Sequence, residues 1–184
     1  MTSAHALPVY VGELRQLFDS LDPAPFRERD LDPKAAEYIV DSAAEARPQV
    51  PLALQVHLGR ETGGEADVAM VRDAVHEYFG RRAAGKRREL RQLFRTGRIS
   101  LVIGLGFLAG AIALAQWLGR WISHEGYAWL VSESLIIGGW VALWRPMEIF
   151  LYDWWPIRAE LRLFERLSTM SVSLHGAAAA GPAA

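Results

Sequence analysis

The stretch ISLVIGLGFLAGAIALAQWL, residues 99–118, contains no charged side chain. At a helical rise of about 1.5 Å per residue, a segment of this length covers the roughly 30 Å hydrocarbon core of a bilayer. Just before it, residues 81–98 hold eight Lys/Arg and a single Glu. Basic flanks stay on the cytoplasmic side of an inserted helix, so the two segments together predict a span with its orientation signal. A second apolar stretch, residues 127–144 and extending towards 151, returns the chain to the side it came from. The turn between them, 119–128, has Arg120 as its only Lys or Arg. Both termini are therefore expected in the cytoplasm.

Charge is distributed in blocks. Residues 1–80 carry fourteen Asp/Glu and seven Lys/Arg, whereas the chain as a whole nets −1. An acidic head would repel phosphates, which argues against a nucleic-acid partner, and the basic neck is suited to anionic lipid headgroups. The absence of cysteine removes disulfides, thiolate metal sites and a cysteine nucleophile. The start, MTSAHALPVYVGEL, lacks the basic leader and apolar run of a secretory signal, so the first span is expected to act as the targeting signal.

Along the head, Val9, Tyr10 and Val11 read as a strand start, and residues 14–21 fit a strand or a helical turn equally well. Asp22, Pro23, Pro25 and Phe26 predict a rigid turn. Asp32 before Pro33 reads as an N-cap with proline in the first helical position, opening a helix to about Ala46 with Ala35, Ala36, Ile39 and Ala43 on its apolar face. Residues 51–58, PLALQVHL, alternate as a half-buried strand. A Gly-rich turn at 59–64 follows. From Glu65, Val68, Val71, Val75, Tyr78 and Phe79 recur at helical spacing. Beyond the hairpin, Ile157, Leu161, Phe164 and Leu167 oppose Arg158, Arg162 and Arg166, which predicts an interfacial or partner-binding amphipathic helix.

The expected fold is thus a membrane protein: a cytosolic α+β head of βαβα type (1–80), a basic helical neck (81–98), a two-span helical hairpin (99–151), a C-terminal amphipathic helix (152–175) and a disordered tail (176–184). Below about eighty residues a lone domain buries little core, so packing on a partner or on copies of itself is expected.

Several side-chain groups stand out. Trp117, Trp121 and Trp129 cluster at the outer turn, and Trp144, Trp154 and Trp155 at the inner end, as an aromatic belt would. Gly106 and Gly110 form a small-xxx-small pair, matched in the second span by Ser134, Gly138 and Ala142. That spacing suits close helix packing within the hairpin or between subunits. Arg88, Arg91, Arg95 and Arg98 fall within an arc of about 80° on one helix, so their guanidinium groups can meet lipid phosphates.

Glu133 falls inside the second apolar stretch, where an ionisable group is a functional candidate. If the span begins near Ser134 instead, Glu133 sits in the headgroups and the span takes in Arg145 and Glu148, an i, i+3 pair that can neutralise itself. Gly104, Gly106 and Ala109 spell a dinucleotide-like G-x-G-x-x-A, but inside an apolar helix with no preceding strand the motif has no pyrophosphate to meet. Asp30 and Asp32 are explained by capping. The histidines show no metal-ligand spacing, and no G-x-S-x-G or phosphate-cradling motif is present. No catalytic role, cofactor or metal is expected.

Two strings, DPAPFRERDLD (22–32) and GGWVALWRPMEIFLYDWWP (138–156), resemble segments of uncharacterised bacterial membrane proteins with a short cytosolic head and two spans. The resemblance extends to about Val172 and implies that topology and a bacterial inner membrane; it carries no activity and no site residue. The function expected is an oligomeric anchor, adaptor or regulatory scaffold acting through the head. A subunit of a small oligomeric channel or transporter, with Glu133 or the Arg145 and Glu148 pair facing a pathway, is the alternative. A membrane-tethered enzyme is a third reading without a motif.

Overall fold

The structure, a computed structural model, describes residues 4–19, 30–59, 64–121 and 125–176, with the side chains of 118–121, 125–128, 131 and 132 outside the description. The expected turn at Asp22–Phe26, most of the Gly-rich turn and the tail beyond Gly176 lie outside the described residues. The chain forms two compact units, one of Met1–Gly85 with Ala159–Ala184 and one of Lys86–Arg158.

The first unit is a two-layer α/β head. Strand β1 (His5–Val11), helix α1 (Pro33–Ala44) and strand β2 (Leu52–Leu58) make a βαβ unit. Asp32 Oδ1 accepts from the N–H groups of Lys34 (2.9 Å) and Ala35 (3.1 Å), and Pro33 occupies the first turn, where its missing N–H costs nothing. Residues 14–17, ambiguous in the sequence, form a short 3-10 turn. Helix α2 (Glu65–Trp121) and helix α3 (Glu125–Glu148) follow, then a π-helical turn at Ile149–Asp153, helix α4 (Trp154–Leu167) and strand β3 (Ser171–His175). α2 runs without a break through Gly80 and Gly85.

The sheet order is β1-β2-β3, and every pair is parallel. Three rows cross the sheet on one face: Ala6–Ala53–Ser171, Pro8–Gln55–Ser173 and Tyr10–His57–His175. The other face carries Leu7, Val9, Leu52, Leu54, Val56 and Leu58, all buried. Against this core the head's helices bury Ala36, Ile39 and Ala43 of α1, Val71, Val75 and Phe79 of α2, and Leu161, Phe164 and Leu167 of α4. Phe79 and Phe164 stack at 6.3 Å between centroids, and Arg82 lies 5.0 Å above the Tyr78 ring.

The one-sided layering follows from the order. Parallel crossovers are right-handed, and two successive moves in the same direction, β1 to β2 and β2 to β3, place their helices on the same side of the sheet.

This corrects the sequence reading of residues 152–175 as one interfacial amphipathic helix. The helix ends at Leu167, its apolar stripe is buried in the head, and SVSLH (171–175) is a strand. A stripe of this kind serves a sheet as well as it serves a lipid surface, so periodicity alone does not choose between them. The arginine face is also recruited: Arg166 Nη2 donates to the carbonyls of Arg47 (3.1 Å) and Val50 (2.8 Å), holding the loop before β2. The head is therefore not confined to residues 1–80. Its last strand comes from the far side of the hairpin.

Two helical stretches, Glu65–Trp117 and Glu133–Leu167, each contain a window long and apolar enough to cross a membrane.

Candidate functional site

In the second unit the hairpin is held together by a seam of small residues at every seventh position of α2. A Cβ built on Gly97 would stand 2.8 Å from Ile149 Cγ2, and one on Gly104 would stand 2.9 Å from Leu143 Cδ2 and 3.1 Å from the Ala142 carbonyl oxygen. Ala111, the next in the series, is buried. From α3, Gly139 packs against Leu108, where an added Cβ would overlap the leucine side chain. A seven-residue repeat keeps one seam of a slightly underwound helix facing its neighbour.

Of the two uses expected of Gly106, Gly110, Ser134, Gly138 and Ala142, packing within the hairpin or between subunits, only the first bears on this seam. Gly106, Gly110 and Gly138 have open space where a Cβ would be, so they do not pack the hairpin. Ser134 is exposed and turns its hydroxyl back to the Leu130 carbonyl at 2.8 Å. Of the five residues named for packing, Ala142 alone meets the partner helix, through its backbone. The heptad of Gly97, Gly104 and Ala111 is the signal in the sequence that marks the intrachain seam.

At the end of α3 a polar cluster forms around Arg145. Its Nη1 stands 3.2 Å from Glu148 Oε2 and 3.4 Å from Asp153 Oδ2, and Trp144 Nε1 donates to Glu148 Oε1 at 3.0 Å. The expected Arg145 and Glu148 pair is therefore formed, with Asp153 brought in by the π-helical turn. Pro146 is fully buried beside it. Lacking an N–H, it leaves the Ala142 carbonyl without its i+4 donor. Glu133 is exposed and makes no hydrogen bond or ion pair with another described residue.

Arg88, Arg91, Arg95 and Arg98 are all exposed along α2. Of the tryptophans expected in the belt, Trp117, Trp129, Trp144 and Trp155 are more than half exposed. Trp154 is only partly so: its Nε1 donates to the Phe150 carbonyl at 2.9 Å, and its ring lies 6.4 Å from that of Phe94. It packs within the hairpin base. The Trp121 side chain lies outside the described residues.

In the head, the row Tyr10–His57–His175 is not legible in the sequence, because the two histidines stand 118 positions apart. Their rings stack at 5.1 Å, and Tyr10 stacks on His57 at 4.7 Å. Ser173 Oγ lies 3.3 Å from His175 Nε2. Among the described residues no group of three or more His, Asp or Glu is placed to hold a metal ion.

No family model, curated protein or solved structure matches the chain. The functional reading rests on its own residues.

Proposed function

We propose that the chain is an oligomeric integral protein of the bacterial inner membrane whose cytoplasmic head serves as an adaptor or regulatory scaffold. One observation carries this reading: β2 and β3, separated in sequence by the whole hairpin, are neighbours in one parallel sheet. Strands on either side of an inserted hairpin can pair only if both lie in the same compartment, so the apolar helices must cross an even number of times or not at all. Two crossings fit the two apolar windows.

The hairpin surface supports insertion. Val102, Ile103, Phe107, Ile137, Trp140 and Val141 are all more than half exposed. An apolar surface of this extent is stable in lipid and not in water. Arg88, Arg91, Arg95 and Arg98 then lie against anionic headgroups, each contributing about 1 kcal/mol near a negatively charged leaflet. They also set the orientation, with both termini in the cytoplasm.

A second reading, a subunit of a small oligomeric channel, is favoured by one feature, Glu133 on an apolar helix with no ion-pair or hydrogen-bond partner among the described residues. Two spans cannot enclose a pathway alone, so this reading requires several copies.

Because the chain has no cysteine, single substitutions test the topology directly. In intact cells an impermeant maleimide is expected to label Ser123→Cys and to spare His5→Cys and His175→Cys until the membrane is opened. Labelling at position 5 or 175 in intact cells, or recovery of the protein in the soluble fraction, would overturn the reading.

A further inference from the structure

Between α2 and α3 the hairpin carries a cleft of about 470 Å³. Gly104, Gly138 and Ala142 give it depth, because none of them carries more than a methyl group, and Ile103, Phe107 and Val141 line it with apolar carbon. Ser100, Arg145 and Pro146 complete the lining. Across the seam Gly97 meets Ile149 and Gly104 meets Ala142, so the helices run antiparallel and Ser100 lies level with Arg145. The polar lining is therefore gathered at one end. From Ser100 to Phe107 the cleft follows seven residues, about 10 Å of helix.

Polarity along the cleft matches depth in a bilayer. Ser100 is the second residue of the uncharged stretch and follows the basic neck. In the membrane reading it stands with Arg145 at the cytoplasmic headgroup boundary, and the apolar remainder runs into the hydrocarbon. A cleft exposed there is filled by lipid or by another helix. The volume, spread over that length, leaves a cross-section of roughly 50 Å², well below that of a helix about 10–12 Å across. A lipid tail enters such a cleft; a helix does not.

The charged end narrows the choice of lipid. Arg145 Nη1 makes both ion pairs of the cluster, 3.2 Å to Glu148 and 3.4 Å to Asp153. Its Nε and Nη2 donors have no acceptor among the described residues, and Ser100 makes no side-chain hydrogen bond with another described residue. These donors suit a phosphate diester. One guanidinium with two carboxylates nevertheless carries a net charge of −1, so a phosphate alone would meet repulsion from Glu148 and Asp153. A cation tethered to the phosphate removes that repulsion, and an ammonium with N–H groups can also donate to the carboxylates.

We infer that the cleft binds a phospholipid whose headgroup carries a primary amine, the class of phosphatidylethanolamine. Its phosphate lies on Arg145 and Ser100, its ammonium on Glu148 and Asp153, and one acyl chain along Ile103, Phe107 and Val141. The inference rests on the membrane reading above. Two copies of the chain meeting at this cleft about an axis along the membrane normal would instead bring two net-negative clusters together at one depth.

The test uses the full chain, after fractionation establishes that it is in the membrane. The protein is reconstituted in vesicles of equal parts phosphatidylethanolamine, phosphatidylcholine and phosphatidylglycerol, released in mild detergent and weighed by native mass spectrometry. Retained phosphatidylethanolamine is expected to exceed each of the others by about fivefold. Phosphatidylcholine keeps the phosphate and the positive charge but has no N–H to donate, and phosphatidylglycerol brings the anion without the cation. Gly138→Leu, whose Cβ meets nothing within 4 Å, fills the cleft and is expected to lose the bound lipid while melting within a degree or two of the wild type. Ile103→Trp fills it from α2 and is expected to lose the lipid too, whereas Gly106→Leu, outside the lining, keeps it. Glu148→Gln with Asp153→Asn is expected to abolish the preference over phosphatidylcholine. Equal retention of the three lipids or of none, a preference for phosphatidylglycerol, or retention undiminished in both cleft-filling variants would each overturn the inference. A protein dimer that both of those variants dissociate, with no lipid retained, would overturn it in favour of a second copy. Recovery of the protein in the soluble fraction would instead overturn the membrane reading.

Discussion

Gly104 of α2 packs against the backbone of Ala142 in α3, whose carbonyl Pro146 leaves without its helical donor. An added Cβ would stand 3.1 Å from that oxygen and 2.9 Å from Leu143 Cδ2, closer than side chains ordinarily come. The glycine lets the two backbones approach where an acceptor has been freed.

Gly104→Leu must therefore separate the helices or distort them, at a cost of about 1–3 kcal/mol. The measurement is the melting temperature in mild detergent, where Gly104→Leu is expected to melt lower than the wild type. Gly106→Leu, which projects into open space, should melt within a degree or two of it. Equal losses for the two would mean that the seam does not run through Gly97, Gly104 and Ala111.

Phe164 distinguishes a helix built into the head from one lying on lipid. Its ring is buried and stacks on Phe79. Phe164→Ala should cost about 3–5 kcal/mol and speed hydrogen exchange in β2, far away in sequence. An interfacial helix would instead show weaker membrane contact with β2 exchange unchanged.

Much of this fold was legible because local signals agreed. Asp32 and Pro33 announced α1, PLALQVHL alternated as β2 does, and the uncharged run at 99–118 marked α2 as apolar. What escaped was non-local. Strand β3 is five residues long, too short for alternation to stand out, and it is a strand because β2 offers it an edge. The amphipathic stripe of α4 reads the same whether its destination is lipid or a sheet.

The hairpin seam was legible at Gly97 and Gly104, which lie on the face that meets α3; the small-xxx-small spacing of Gly106 and Gly110 falls outside it, which leaves packing between subunits as the use of that spacing still open. For Tyr10, His57 and His175, only the register of three strands brings the rings together.

The N-cap of α1 yields a smaller, sharper prediction. Asp32 Oδ1 satisfies two first-turn N–H groups. Asp32→Ala should destabilise the head by about 1 kcal/mol, and Asp32→Asn or Asp32→Ser should restore most of that. Denaturant titration followed by circular dichroism reads the difference. A loss as large from Lys34→Ala as from Asp32→Ala would show that the cap is not its source.

Glu133 decides between anchor and channel. It lies exposed on an apolar helix without an ion-pair or hydrogen-bond partner among the described residues, whereas Arg145 is paired with Glu148 and Asp153. If the carboxylate faces lipid headgroups in an anchor, Glu133→Gln removes a charge with no task, so the mass of the detergent complex should not change. Reconstituted vesicles should then show no ion or proton flux from either protein under an applied gradient. If it faces a pathway between copies, its desolvation is offset by the ions it serves, and flux should be present in the wild type and lost in Glu133→Gln. Arg145→Gln provides the control, because it disturbs the cluster at the helix end without touching Glu133. Flux that survives Arg145→Gln but not Glu133→Gln would place conduction at this carboxylate and replace the anchor reading.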